Sequence, residues 1–270
     1  MTDVLATVDQ AGIATVTLDR PALHNAFNEG VIAELTQLFE QLGADPQVRA
    51  ILLKGNGPSF SAGADLDWMR RMAGYSRDQN HADALALATM LRTLNRTPKP
   101  TIAVVHGAAF GGGVGLVACC DIAIAAEGAT FCLSEVKLGL IPATIGPYVV
   151  AAMGERACRR YFLTAERFSA AEAMALGLVH QVVPADQLDG AVATLLKRLG
   201  EGGPAAQTAA KALVFDCANR PVTDDLISDT AERIALIRAS DEGREGVAAF
   251  LDKRKAAWVQ PQETTRDGDK

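Results

Sequence analysis

The stretch Gly107-Ala108-Ala109-Phe110-Gly111-Gly112-Gly113-Val114-Gly115-Leu116 follows the apolar, β-branched run Thr101–Val105. This order predicts a buried strand, a turn at Gly107 and then a helix over residues 111–120. The first turn of a helix leaves backbone N–H groups without partners, and glycines let an anion approach them closely. The stretch therefore favours an α/β fold in which a helix start binds an oxyanion. The alternative is that the glycines only permit close packing of the helix on a strand.

The chain on either side continues this alternation of strands and helices. Two β-type runs, Val4–Val8 and Ile13–Leu18, flank Gln10-Ala11-Gly12 and predict a hairpin. Short apolar strands are predicted over 50–54 and 122–125. An amphipathic helix is predicted from apolar residues at helical spacing, which are Val31, Ile32, Leu35, Leu38, Phe39 and Leu42. Such alternation predicts a largely parallel sheet and hence the α/β class.

Beyond residue 150 the sequence is mostly helical. Ser169 and Glu172 form a capping-box pattern, and Gly177 is a suitable stop for the helix that they begin. A late strand is predicted over 178–183, followed by helices over 185–199, 204–218 and 224–256, the last broken near 240–243. We expect a core domain over 1–200, a helical region over 201–258 and a disordered polar tail over 259–270.

Composition argues against several classes of protein. The 270 residues include 26 Lys and Arg against 32 Asp and Glu, and the net charge of −6 disfavours nucleic acid as a partner. Apolar runs are interrupted before they reach bilayer length, and no secretory signal is visible, so we expect a cytoplasmic protein without membrane contact. No metal-ligand spacing occurs. Reduced thiols are expected at all cysteines, which are Cys119, Cys120, Cys132, Cys158 and Cys217.

Two further fragments carry chemistry. Ser61-Ala62-Gly63-Ala64-Asp65-Leu66 offers a second set of backbone donors beyond a predicted strand, although Asp65 could simply cap a short helix over 66–72. Ser134-Glu135-Val136 places a carboxylate among apolar residues, where burial would raise its pKa and suit it to proton transfer near neutral pH. A lone surface glutamate is the ordinary alternative. Together the three fragments indicate a site that stabilises an enolate and moves protons beside it.

The same fragments resemble the enoyl-CoA hydratase/isomerase (crotonase) family. Phe60–Leu66, Pro100–Gly113, Cys120–Ala123 and Ser134–Pro142 occur in the family's order, and the similarity extends from about Val4 to Trp258. The resemblance implies a crotonase-like core of repeated ββα units with a helical C-terminal oligomerisation region. It also implies that the N–H groups of Ala64 and Gly112 form the oxyanion hole for an acyl-CoA thioester, and that Glu135 is a catalytic carboxylate.

The chain departs from the family's pattern at Gly115. Hydratases of this family usually carry a first glutamate three residues after the oxyanion-hole glycine, and residues three apart share a helix face. One interpretation is that the cavity needs room for a branched or longer acyl group. The alternatives are a neutral loss of the carboxylate, or a glycine that fits a helix crossing.

Other expectations follow from the resemblance. Ala62, Asp65 and Leu66 are expected to line the coenzyme A site. Phe250 and Lys253 match a C-terminal element of the family that closes the site, often from a neighbouring subunit. The alternative is an ordinary amphipathic helix with a solvated lysine. We expect a homotrimer or homohexamer with an acyl-CoA substrate, no metal, and no cofactor beyond the coenzyme A of the substrate.

The segment Ile141–Tyr148 lacks the consecutive glycines of the commoner family version. Together with Gly115 it resembles bacterial methylglutaconyl-CoA hydratases. A distal substrate carboxylate would need a basic partner, and the sequence offers four candidates without choosing between them: Arg70, Arg71, Lys137 and Arg160.

Three functions remain open from the sequence. The first is hydration of a branched 2-enoyl-CoA, with Glu135 deprotonating the water and returning the proton to the α-carbon. The second is a 3-enoyl to 2-enoyl isomerase, which also needs only one base. The third is a non-catalytic acyl-CoA binder, against which the presence of Glu135 argues.

Overall fold

The computed structural model describes residues 3–259. They form two compact units that divide between Thr194 and Leu195. The division falls inside a helix, so the predicted domain boundary after residue 200 stays a prediction. Apart from Val259, the predicted tail lies outside the described residues. No helix between residues 3 and 259 is both long and apolar enough to cross a membrane.

The first unit contains a six-stranded sheet in the order β1-β2-β3-β4-β6-β9. Only the β1–β2 hairpin is antiparallel, with Val4 opposite Leu18, and the other neighbours are parallel. The strands of this sheet are β1 (Val4–Val8), β2 (Ile13–Leu18), β3 (Ala50–Gly55), β4 (Thr101–Val105), β6 (Ile122–Ala126) and β9 (Gln181–Val183). The predicted α/β class is confirmed, because parallel strands here alternate with covering helices.

A second, three-stranded sheet has the order β5-β7-β8. β5 and β7 are parallel and β8 is antiparallel to β7. Its strands are β5 (Ala108–Phe110), β7 (Thr130–Cys132) and β8 (Arg167–Ser169). The sequence analysis missed this sheet because three-residue strands are too short to show an alternating pattern.

The helices of the first unit follow the strands in sequence. They are α1 (Glu29–Ala44), α2 (Leu66–Met72), α3 (Arg77–Arg96), α4 (Gly112–Cys119), α5 (Gly146–Met153), α6 (Glu155–Thr164) and α7 (Ala170–Ala175), and α8 (Leu188–Glu201) crosses into the second unit. Three 3-10 turns cover Pro21–Leu23, Glu135–Leu138 and Ala185–Gln187. The long helix α3 was not predicted, since its buried residues Met90, Leu91 and Leu94 all lie near its C-terminal end.

A repeating path explains how the fold positions the site. The chain runs along a strand of the large sheet, then through an extended segment of the smaller layer, and then into a helix or 3-10 turn. β4, β5 and α4 make one such repeat, and β6, β7 and the Glu135–Leu138 turn begin the next. The two earlier repeats have only isolated bridges in the smaller layer, between Phe27 and Ala64 and between Ser61 and Ala109. Successive helix starts therefore come side by side, as expected at the carboxyl ends of neighbouring parallel strands.

The second unit is helical in its described part. It contains α9 (Pro204–Cys217), α10 (Asp224–Ala239) and α11 (Asp241–Leu251). Ser240 ends α10 and begins α11, and its hydroxyl accepts a hydrogen bond from Gly243 N–H at 3.0 Å. The predicted helix break near Ser240 is confirmed, because a serine that caps one helix start interrupts the hydrogen bonds of the helix before it.

Candidate active site

Ala64 forms an isolated β-bridge with Phe27 that does not use the Ala64 N–H group. Phe27 N–H donates to the Gly63 carbonyl at 2.8 Å, and Asp65 N–H donates to the Phe27 carbonyl at 3.1 Å. Because alternate peptide groups of an extended chain point to opposite sides, the N–H of Ala64 faces away from Phe27. Within residues 3–259 it donates no hydrogen bond to the protein, and Ala64 is only half-buried.

Gly112 opens α4 and supplies a second free amide. The preceding Gly111 has φ of +50° and donates its own N–H to the Cys132 carbonyl at 2.8 Å. The next N–H, that of Gly112, has no acceptor in the described part of the chain, as expected for the first turn of a helix. A side chain at position 112 would strike the ring of Phe27, since an added Cβ would lie 3.0 Å from Cε2. A side chain at this position would therefore force the buried Phe27 ring to move.

The two donor segments are in direct contact. Phe110 N–H donates to the Ser61 carbonyl at 2.9 Å, and Ser61 N–H donates to the Ala108 carbonyl at 3.0 Å. A Cβ placed on Gly63 would lie 3.5 Å from Gly112 N. The free N–H groups of Ala64 and Gly112 therefore lie on two segments that are hydrogen-bonded to each other, which agrees with an arrangement that stabilises an oxyanion.

Glu135 lies next to these donors. Its Oε1 atom is 3.1 Å from the position that a Cβ on Gly111 would take. Its Oε2 atom is buried and has no hydrogen-bond partner among residues 3–259. Burial raises the pKa of Glu135 above its ordinary value, and the hydrogen bond from its own backbone offsets this only in part. A carboxylate in this state is suited to take up and return a proton near neutral pH.

Residues 8–262 of the chain match the family described as enoyl-CoA hydratase/isomerase. The chain belongs to this family. The crotonyl-CoA hydratase of Syntrophomonas wolfei is 32% identical over 249 residues, which are 92% of this chain and 94% of that protein. The structure of an enoyl-CoA hydratase from Shewanella pealeana is 48% identical, covers 95% of this chain and 96% of that one, and superposes with a TM-score of 0.92. The structure of an enoyl-CoA hydratase from Mycobacterium smegmatis is 33% identical, covers 96% of this chain and 100% of that one, and superposes with a TM-score of 0.91.

The predictions of a crotonase-like fold and of an enzyme of the hydratase/isomerase family are confirmed. The finer subfamily stays a prediction. The predicted residues Ala64, Gly112 and Glu135 lie together, in agreement with a crotonase oxyanion hole and its carboxylate. Their catalytic roles stay predictions.

Three residues predicted to bind coenzyme A sit in the Ala64 loop. Ala62 donates its N–H to the His24 carbonyl at 2.9 Å, and the Leu66 side chain is 69% exposed. Asp65 is buried, where it caps α2 through the N–H groups of Asp67 and Trp68 and binds Arg20 at 3.0 Å. The capping alternative for Asp65 is thus confirmed, and all three contacts with coenzyme A stay predictions.

At Gly115 the structure favours the interpretation that the glycine fits a helix crossing. The space beside this glycine is filled by Ile145, the residue just before α5, which is 2% exposed. A Cβ at position 115 would lie only 2.9 Å from the Ile145 Cβ and 3.6 Å from Leu91 Cδ2. The missing side chain therefore makes room for a crossing of α4 by neighbouring residues, and not for additional acyl volume at that point.

Phe250 and Lys253 belong to the second unit. Phe250 is 81% exposed near the end of α11, and Lys253 is exposed with φ of +56° just beyond it. An exposed phenylalanine is compatible with the family's site-closing element. Whether the pair reaches a site stays a prediction.

Three of the four basic candidates already have carboxylate partners. Arg70 pairs with Asp67, Arg71 with Glu29 at 2.8 Å, and Arg160 with Glu166 at 2.5 Å. Lys137 is exposed, forms no ion pair within residues 3–259, and lies in the same 3-10 turn as Glu135. It is the candidate that the structure leaves available for a substrate carboxylate.

Sequence reasoning missed Phe27, and it missed the contacts of Ser61 and Ile145, although both lie in fragments that it had singled out. Phe27 bridges Ala64 and packs on Gly112, Ser61 joins the two donor segments, and Ile145 fills the space beside Gly115. For Phe27 the local signal is Asn28, a good N-cap directly after it. Contacts between residues dozens of positions apart leave no periodic trace in a single sequence.

Proposed function

We propose that the protein hydrates a branched 2-enoyl-CoA thioester of the 3-methylglutaconyl-CoA type. The observation that carries this proposal is the Glu135 carboxylate, whose Oε2 atom is buried without a partner among residues 3–259, beside the free amides of Ala64 and Gly112. Enoyl-CoA hydratase activity in general is supported by the family and by relatives that carry that name. The substrate type is supported by the resemblance of residues 141–148 and by the available Lys137.

One carboxyl group is sufficient for the whole reaction. As water oxygen bonds to C3, Glu135 takes a proton from it, and the C2–C3 π electrons move to place negative charge on the thioester oxygen. The Ala64 and Gly112 N–H groups donate to this oxyanion, an interaction worth about 3–4 kcal/mol per donor in comparable sites. The enolate then collapses and C2 takes the proton from Glu135, which regenerates the carboxylate.

Lys137 gives the proposal its specificity. A 3-methylglutaconyl group carries a carboxylate at the end remote from the thioester. Lys137 is two residues from Glu135, so the same short turn would carry the base and a cation for the substrate's far end. An exposed ammonium that forms no ion pair within residues 3–259 can bind the substrate carboxylate without first giving up another partner.

A second function is favoured by Ile145. Since position 115 is a glycine with Ile145 in the space beside it, no carboxylate reaches the donors from that position, and Glu135 is the base that the proposal uses. Shifting a double bond from C3 to C2 needs a single base that removes a proton from C2 and returns one to C4. The same donors would hold the same enolate.

The test is a panel of CoA esters assayed with wild type, Glu135→Gln and Glu127→Gln. Glu127 is an exposed glutamate in the turn after β6 and provides the matched control. We expect loss of the conjugated-thioester absorbance, with water oxygen incorporated at C3, most efficiently for 3-methylglutaconyl-CoA. Glu135→Gln should lower kcat at least a thousandfold with a KM close to wild type, whereas Glu127→Gln should remain fully active.

Different results would contradict the proposed reaction, the proposed base and the proposed substrate type. Appearance of conjugation from 3-enoyl esters, without water incorporation, would establish the isomerase instead. Near-wild-type turnover by Glu135→Gln would overturn the assignment of the base. Equal efficiency towards straight-chain 2-enoyl esters and the branched dicarboxylic ester would overturn the substrate type.

A further inference from the structure

Ser61 is a buried residue with every polar group engaged. It is 0% exposed. Its N–H donates to the Ala108 carbonyl at 3.0 Å and its carbonyl accepts from Phe110 N–H at 2.9 Å. Its hydroxyl donates to the Asn25 carbonyl at 2.9 Å and accepts from Gly63 N–H at 3.2 Å. One residue therefore binds both donor segments, the first by its side chain and the second by its backbone.

The acceptor of the Ser61 hydroxyl is itself held firmly. Asn25 is 1% exposed and has φ of +54°, a left-handed conformation that asparagine tolerates better than most residues. Its Oδ1 accepts from Arg20 N–H at 2.9 Å, and its Nδ2 donates to the carbonyls of Asn56 at 2.8 Å and Ser59 at 2.7 Å. With these bonds in place the Asn25 carbonyl offers the Ser61 hydroxyl a fixed acceptor.

Fixing Gly63 determines the direction of the next amide. The Gly63 N–H is bound by the Ser61 hydroxyl, and the Gly63 carbonyl is bound by Phe27 N–H at 2.8 Å. The Gly63 carbonyl and the Ala64 N–H belong to one planar peptide group and point in opposite directions. Gly63 also has φ of +88°, a torsion that other residues adopt only with strain and that glycine by itself does not hold rigidly. The two hydrogen bonds therefore aim the Ala64 N–H.

We propose that Ser61 is a positioning residue for the oxyanion hole. Its hydroxyl holds the Ala62–Gly63 peptide on one side of Gly63, while Phe27 holds the Gly63–Ala64 peptide on the other, so that the torsions of Gly63 and the direction of the Ala64 N–H are fixed together. The backbone bonds of Ser61 to residues 108 and 110 set the distance to the Gly112 donor. This inference rests on the proposed function, because it requires an oxyanion between Ala64 and Gly112. It adds a residue that does not touch the substrate and acts through the geometry of one that does.

The test compares Ser61→Ala with Ser59→Ala. Ser59 lies on the same segment, is 4% exposed, and its hydroxyl bonds the His24 ring at 3.0 Å instead of the Gly63 amide. Both variants lose one buried hydroxyl. For Ser61→Ala we expect kcat to fall at least tenfold, because a misaligned donor loses transition-state stabilisation. The Kd of a saturated acyl-CoA should stay within twofold of wild type, and Ser59→Ala should keep kcat within twofold.

A partial rescue separates positioning from packing. Ser61→Cys retains a weak donor and acceptor, so its kcat should lie between those of wild type and Ser61→Ala. The urea midpoint of Ser61→Ala should match that of Ser59→Ala. Since Glu135 is unchanged, the acid limb of the pH profile should keep the same apparent pKa in all three variants.

Other results would overturn the proposal. If Glu135→Gln is inactive but Ser61→Ala keeps kcat within twofold of wild type, the positioning role is wrong and the proposed function stands. If Ser59→Ala loses kcat as much as Ser61→Ala does, the effect is structural and the positioning role is also wrong. If neither Glu135→Gln nor Ser61→Ala lowers kcat, the proposed function itself fails.

Discussion

Replacing Gly115 by alanine should have two opposing effects on stability: a gain in helix propensity and a loss from crowding in the core. Inside a helix, alanine is more stable than glycine by about 1 kcal/mol. At position 115, however, the new Cβ would lie 2.9 Å from the Ile145 Cβ and closer still to Ile145 Cγ2. Forcing extra volume into a well-packed core costs about 1–3 kcal/mol. The difference predicts that Gly115→Ala loses about 1 kcal/mol of unfolding free energy.

Ile145 is the residue that must give way. Ile145→Ala alone removes a buried side chain and should cost about 2–5 kcal/mol. In the double variant the methyl group added at position 115 occupies part of the space that Ile145 leaves. The double variant should therefore be more stable than the sum of the single effects predicts, with a coupling of about 1–2 kcal/mol.

The assay is urea unfolding followed by tryptophan fluorescence. Trp68 is buried in the first unit, and a Trp258→Phe background makes it the single reporter. With a slope of about 2 kcal/mol per molar urea, a loss of ~1 kcal/mol lowers the midpoint by about 0.5 M. Gly190→Ala is the matched control. Gly190 lies inside α8 with open space where its Cβ would be, so alanine there should raise the midpoint.

A clear result would contradict this reasoning. If Gly115→Ala raises the midpoint as much as Gly190→Ala does, helix propensity prevails and Ile145 does not close the space beside Gly115. The idea that position 115 opens additional acyl volume would then regain support.

Three other predictions use the titration and the caps of the described residues. Because burial raises the pKa of Glu135, kcat/KM should fall on the acid side with an apparent pKa above the ordinary glutamate value of about 4.3, and a profile flat to pH 4 would refute this. Burial would raise the pKa of Asp65, but the N–H groups of the capped helix and Arg20 hold it lowered, so its stabilising effect exists above about pH 4 and is lost as pH falls further. Asp65→Asn should thus have a lower unfolding free energy than wild type at pH 7, and the difference between the two proteins should become smaller in acid. A difference that does not change with pH would count against an ionised Asp65 bound to Arg20. Ser169→Ala removes a complete capping box and should lower the unfolding free energy by about 1 kcal/mol, whereas an unchanged urea midpoint would show that α7 does not need its cap.

Local patterns accounted for much of the fold. The hairpin, β4 and α2 have the predicted bounds, Asp65 and Ser169 cap helices as predicted, and the predicted helix break falls at Ser240. Strand alternation, helix periodicity and caps act over a few residues, so one sequence is enough to show them. Helix α3 and the small sheet escaped because the first half of α3 buries no residue and each strand of the sheet has three residues.

The candidate site divides in the same way between sequence and structure. The sequence by itself determined the chemistry: glycine-rich helix starts that expose amides, and a glutamate among apolar neighbours. Only the tertiary structure decided how these parts meet, with Phe27 beside Ala64, Ser61 between the two donor segments, and Ile145 in the space beside Gly115. The physical reason is range. The Gly112 amide is left free by its own helix turn, whereas the direction and surroundings of both donor amides depend on residues that become neighbours only when the successive repeats pack together.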